Sequence, residues 1–208
     1  FDDVVIPRMK HVLFGESSGV SKTIGWNGGG IIKCIRLESY EDALNNLEFD
    51  QLEGQMAFQL EDYLLRYMLK WETRHSATLL NVEKLQEPFS YKLHIHRDGE
   101  TREQPVDLPE TFNYLIGLDV EKRQVLDDEG RRYLVYRGTT RYGRRTAVIW
   151  RETRGWTEED YSRERDFVVS HNLTEGTDEV FVNGDSIIPG ARALENVFKA
   201  RMFAGVEG

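Results

Sequence analysis

The chain is poor in several things that would have named its class at once. It has one cysteine, Cys34, in 208 residues. One thiol excludes a disulfide framework and a cysteine-rich zinc module. No apolar run approaches the roughly 20 residues of a membrane-spanning helix. A surplus of positive charge is also missing: 27 Lys and Arg stand against 36 Asp and Glu, a formal net charge of -9. Such an acidic balance argues against a bulk nucleic-acid or anionic-membrane binder but leaves room for a local basic patch. There is no internal repeat and no low-complexity linker. The start, Phe1-Asp2-Asp3-Val4, has neither an initiator Met nor a basic-then-apolar leader. The expectation is a soluble, cytoplasmic chain without a membrane partner, cut from something longer. What is present is globular: 39% hydrophobic and 30% charged residues, at a length that supports a core without staples.

Hydrophobic periodicity divides the chain. Val5, Met9, Val12 and Leu13 fall near helical spacing, and Pro7 places the helix start after itself. Glu16 to Gly30 reads as a loop containing Trp26 and the triplet Gly28-Gly29-Gly30, with Trp26 expected to be buried. Ile31 to Leu37 reads as a strand. Ser39-Tyr40-Glu41-Asp42 is a capping-box-like helix start, and Asn45-Asn46 weakens the end of that helix. Met56 to Glu72 carries a broad apolar stripe from Leu60 to Trp71, the strongest helical signal. Thr73 to Asn81 is a connector. From Tyr91 the period becomes two. Tyr91, Leu93 and Ile95 alternate with Lys92, His94 and His96, and Asp98-Gly99 signals the turn of a hairpin. A helix then starts at Pro109 and stops at Gly117. Val120 to Val125, Tyr133 to Tyr136, Ala147 to Trp150 and Val180 to Val182 read as strands. Thr157 to His171 and Ala191 to Phe203 read as helices. The fold class expected is α+β: a helical N-terminal third, then a mixed or antiparallel sheet with packed helices. The expected segments are 1–30, a residual helix and Gly-rich loop; 31–85, a helical segment; and 86–208, an α+β domain.

Few residue clusters carry chemistry. The glycine triplet lacks the Gly-Lys-Ser/Thr of a P-loop and has no strand before it, so a plain turn is the better reading. His94 and His96 share a strand face, but two ligands do not make a metal site. Glu158, Glu159 and Asp160 stand where a helix N-terminus favours acids. Ser17-Ser18 lacks a nucleophile elbow. No catalytic, cofactor-binding or metal residue is assigned. The basic stretch is the exception. Arg131, Arg132, Arg137, Arg141, Arg144, Arg145, Arg151 and Arg154 crowd together, with Tyr136, Tyr142 and Trp150 interleaved. Arginine forks and aromatic faces can grip phosphates and bases. Arg141, Arg144 and Arg145, at the expected hairpin tip, are the best candidates for contact with a DNA backbone. The alternative is a solvated sheet face that offsets the acidic helices.

The string Leu37-Glu38-Ser39-Tyr40-Glu41-Asp42-Ala43-Leu44-Asn45-Asn46-Leu47 resembles the C-terminal part of the modification (Mod) subunit of type III restriction-modification systems, an adenine-specific DNA methyltransferase. The likeness continues at Tyr63 to Leu69 with Glu72-Thr73, at Glu110 to Leu118, at Val148 to Arg151 and at Val182 to Gly190, nearly end to end. The resemblance implies a catalytic Asp-Pro-Pro-Tyr that holds a flipped adenine and a Phe-x-Gly-x-Gly loop that holds S-adenosylmethionine. Neither occurs in this sequence, and in the family both lie upstream, as does the target-recognition region. The start, Phe1 to Arg8, looks like the helix that follows the cofactor-binding strands. The resemblance thus implies a non-catalytic C-terminal module. The parent would be a DNA methyltransferase acting on DNA as a dimer with a second Mod subunit and joined by a restriction (Res) subunit. The stripe Leu60 to Trp71 and the closing helix at Leu194 to Met202 suit such packing, although burial in the module's own core explains them too.

Two other readings stand beside it. An independent DNA- or protein-binding module would use the Arg-rich hairpin 131–154. A nuclease would need clustered carboxylates and a lysine, and Asp119, Glu121 and Lys122 approximate this poorly.

Overall fold

The computed structural model describes residues 3–15, 19–36, 39–47, 80–97 and 99–203. The chain forms two compact units, Phe1–Glu38 and Ser39–Gly208. The helix expected over Met56 to Glu72 lies outside the described residues, as do Ser17 and Ser18.

In the first unit, α1 (Val5–Phe14) begins two residues before Pro7. Proline is tolerated there because first-turn N–H groups have no partner within the helix. The expected loop holds a short helix, α2 (Gly19–Thr23). Trp26 is half exposed rather than buried, and its indole N–H donates to the Val12 carbonyl at 2.7 Å. Ile31 to Arg36 form no strand, and Ile31 is 98% exposed. An apolar run becomes a strand only where another backbone offers pairing, and the described residues of this unit offer none. The glycine triplet has a packing role. Gly28 has a positive φ of 89°, and a Cβ there would stand 2.7 Å from the Leu13 carbonyl oxygen. Only glycine lets the loop backbone lie this close to the end of α1.

The second unit opens with α3 (Tyr40–Asn45). The Ser39 hydroxyl caps it, accepting from the Asp42 N–H at 3.1 Å. Helices α1 to α3 are the only regular elements among the described residues before residue 80, so the helical N-terminal third is present in outline only. Two 3₁₀ turns, Glu83–Gln86 and Pro88–Ser90, lead into the hairpin of β1 (Lys92–Arg97) and β2 (Glu100–Pro105). Helix α3 guards the free edge of β1. Asn46 offers its amide like a strand residue, accepting from His94 N–H at 2.9 Å and donating to His94 carbonyl at 2.7 Å. Asp42 accepts from His96 N–H at 2.7 Å. That bond and the Ser39 hydroxyl hold the Asp42 carboxyl below its usual range.

After α4 (Leu108–Ile116), a five-stranded sheet forms in the order β3 (Leu118–Asp128), β4 (Arg131–Thr140), β5 (Arg145–Arg151), β6 (Glu179–Val182), β7 (Ala191–Ala193). The pairs β3–β4 and β4–β5 are antiparallel, while β5–β6 and β6–β7 are parallel. Helix α5 (Glu158–Ser170) supplies the crossover from β5 to β6, as a parallel pair requires. The α+β class with a mixed sheet and packed helices is therefore present. The closing helix differs from expectation. Ala191 to Ala193 pair with β6 as β7, and α6 covers only Glu195–Phe203. Strand β3 is also longer than the expected Val120 to Val125.

Both faces of the sheet are covered. Leu134, Tyr136, Val148, Trp150 and Phe181 meet Phe112 of α4 and Phe198 of α6 on one face. Tyr133, Val135, Ile149, Val180 and Val182 meet Val168 of α5 on the other. Strands buried on both faces read as continuous apolar runs, which is how β4, β5 and β6 appear in the sequence. Phe112 is the hub of the first cluster, with edge-on ring contacts to Trp150, Phe181 and Phe198. Of α6, Phe198 is buried in this cluster, with Val197 and Met202 partly buried against it.

Candidate nucleic-acid interface

Most arginines of the basic stretch are committed to partners within the module. Arg131 pairs with Asp160. The Arg132 guanidinium lies 4.7 Å from the Phe89 ring centroid. Arg137 donates to the Glu175 carbonyl. Arg154 reaches Glu87 at 2.9 Å. Arg151 is fully buried with Glu164, and both side chains are 0% exposed. Its guanidinium also donates to the carbonyls of Asn183 and Asp185. Asn183 closes this knot, donating to the carbonyls of Leu85 at 2.7 Å and Arg151 at 2.8 Å. Burial pushes the Glu164 carboxyl above its usual range, and the Arg151 charge opposes that shift. The stretch is therefore largely a set of internal ties.

The three hairpin-tip candidates separate in the structure. The turn 141–144 does join β4 to β5, and all three side chains are exposed. Arg145 clasps Asp178: its backbone N–H donates to that carboxylate at 2.9 Å and its guanidinium at 3.1 Å. Those contacts hold the Asp178 carboxyl below its usual range. Arg141 lies with its guanidinium against Gly117, and its backbone N–H donates to the Gly117 carbonyl at 3.0 Å. A cation at that helix end complements the dipole of α4. Arg144 alone turns into a cleft.

That cleft, of about 330 Å³, lies between the β4–β5 turn, β7 and α6. Arg192 and Arg201 join Arg144 there, 48 and 57 residues further along the chain. Arg192 bonds Glu179 at 2.8 Å and stands 4.9 Å from the Phe181 ring centroid. Arg201 stands 5.6 Å from the ring centroid of Tyr142, which is 65% exposed. Among the described residues neither Arg144 nor Arg201 makes an ion pair. The floor is apolar, with Ile116, Phe181 and Val197. Three cations therefore face one carboxylate in a chain whose overall charge is strongly negative. A low-dielectric floor strengthens and focuses that local positive field.

The other candidates are accounted for locally. His94 and His96 share an exposed strand face, and His96 Nδ1 lies 3.2 Å from the Thr101 hydroxyl. No group of three or more His, Cys, Asp or Glu able to hold a metal occurs among the described residues. Asp160 closes the N-terminus of α5, accepting from Thr157 N–H at 2.8 Å and the Thr157 hydroxyl at 2.9 Å. Its carboxyl is held low mainly by those two bonds and then by Arg131. Asp119, Glu121 and Lys122 lie exposed on β3, and Glu121 accepts from the Thr139 hydroxyl at 2.9 Å. Their spacing is interrupted by a bulge, since Val120 pairs with Gly138 and Lys122 with Arg137.

The basic run pointed to Arg144, while Arg192 and Arg201 lie outside any such run: Arg192 stands among neutral and acidic neighbours, and Arg201 has only Lys199 beside it. No described helix is long and apolar enough to cross a membrane. No family model, no curated protein and no solved structure matches the chain.

Proposed function

We propose that the chain is the non-catalytic C-terminal module of an S-adenosylmethionine-dependent DNA adenine-N6 methyltransferase of the type III restriction-modification kind. In this reading it serves subunit assembly and touches the DNA backbone, while an upstream domain binds the cofactor and methylates adenine. The observation that carries the reading is where the resembling strings fall. Glu110 to Leu118 build α4, Val148 to Arg151 end β5, and Val182 to Gly190 form the loop that holds Arg151. Of the string Leu37 to Leu47, the described part, Ser39 to Leu47, guards β1. These described parts belong to the second unit, while the string Tyr63 to Leu69 lies outside the described residues.

The DNA contact is supported by the three-arginine cleft. The same cleft favours a second reading, an independent DNA-binding module. The gene upstream of Phe1 separates them. Asp-Pro-Pro-Tyr and Phe-x-Gly-x-Gly in the same reading frame are expected for the methyltransferase tail, and the chain alone is expected not to bind S-adenosylmethionine by calorimetry. An in-frame start just before Phe1 would refute the first reading and leave the second.

A further inference from the structure

We infer that the cleft between the β4–β5 turn, β7 and α6 is a subsite for two adjacent phosphodiesters of a DNA backbone. Arg144 and Arg201 grip the phosphates, and the exposed ring of Tyr142 lies alongside the attached nucleoside. This rests on the reading of DNA contact and gives it a place and a stoichiometry.

The charge balance sets the number. Arg144, Arg192 and Arg201 against Glu179 leave three minus one, a formal charge of +2, at the cleft. Two phosphodiesters neutralise it. Neither Arg144 nor Arg201 makes an ion pair with a described carboxylate, although the Arg144 charge helps hold the Asp178 carboxyl low, and planar forks match phosphate oxygens bidentately. Arg192 is tethered by Glu179 at 2.8 Å and so acts as a reserve cation. Tyr142 is exposed beside Arg201, and its ring can pack against the deoxyribose that joins the two phosphates. The formal net charge of -9 opposes a polyanion overall, so a locally positive cleft is where binding is favoured. Binding through these phosphate contacts is therefore salt-dependent.

The test measures duplex binding by fluorescence anisotropy across 50–200 mM salt, using the full chain. Counterion release gives a slope of roughly 0.9 per phosphate neutralised in a plot of log affinity against log salt. R144A and R201A are each expected to flatten the slope by about 0.9, which is roughly a 3.5-fold smaller loss of affinity over that salt range. R145A, which removes an arginine already clasped by Asp178, is expected to keep the wild-type slope. E179Q is expected to tighten binding, a gain that a damaged fold does not produce. Wild-type slopes in both R144A and R201A would overturn the subsite while leaving DNA contact elsewhere intact. If the wild type binds no duplex, inorganic pyrophosphate decides. A thermal midpoint raised in the wild type but not in R144A/R201A upholds an anion subsite and refutes the DNA reading. No shift in either overturns both.

Discussion

Replacing Arg151 by Met tests a fully buried ion pair of the module. The Arg151 and Glu164 side chains are both 0% exposed, and the guanidinium also serves the Asn183 and Asp185 carbonyls. Methionine keeps an unbranched stem of similar reach, so little cavity opens. What remains is a buried carboxylate without its cation and two carbonyls without a donor. Breaking one side of a buried pair costs about 3–5 kcal/mol. For a unit of this size each kcal/mol lowers Tm by about 2–4 °C, so R151M is expected to melt roughly 10 °C lower, with an earlier urea midpoint at unchanged slope.

The double variant R151M/E164L removes both charges and is expected to recover most of the loss. The pH dependence has a definite sign. Burial already raises the Glu164 carboxyl above its ordinary 4.5, and loss of Arg151 raises it further. An acid whose folded pKa exceeds its unfolded one binds protons more readily when folded. Its stability contribution therefore falls as pH rises through that interval. The R151M penalty should shrink between pH 7 and pH 5. A wild-type urea midpoint for R151M, or a double variant as unstable as the single one, would refute the argument.

Other substitutions probe the positions where local geometry decides. N46A removes both amide bonds to His94 and is expected to cost about 1–3 kcal/mol by urea denaturation; faster amide exchange at His94 would place the loss at the β1 edge. Gly138 faces the β3 bulge, where a Cβ would stand 2.0 Å from the Asp119 carbonyl oxygen. Because the obstacle is backbone, G138A is expected to cost at least about 1–3 kcal/mol. A wild-type midpoint for G138A would show that the bulge shifts freely.

The functional candidate shows why a run of charge is an incomplete guide. Eight arginines between 131 and 154 suggested one basic surface. The sheet sends alternate residues to opposite faces, so they disperse, and nearby acids and carbonyls take up most of them. The pairs Arg145–Asp178 and Arg131–Asp160 join residues about 30 apart in sequence. Composition reports such charges; only the fold shows that they are already matched. Trp26 and Ile31 fail for the same reason. Their apolar character was legible, but burial depends on a surface that the local sequence does not contain.

Elements whose cause is local were readable in the sequence. Ser39 and Thr157 mark helix starts because they precede acids three residues on. Gly117 ends α4, and Gly99 lies in the turn of the first hairpin. The runs Tyr133 to Tyr136 and Val180 to Val182 show strands covered on both faces. The tertiary structure alone decided what depends on distant partners. β7 is a strand because β6 lies beside it, although its residues have helical neighbours. Asn46 guards an edge 48 residues away, Arg151 finds Glu164 across the βαβ crossover, and α6 returns Arg201 to the tip where Arg144 waits. Sequence spacing records forces acting within a turn or two of the chain; long-range pairing, which chooses between equivalent local states, is set only when the strands meet.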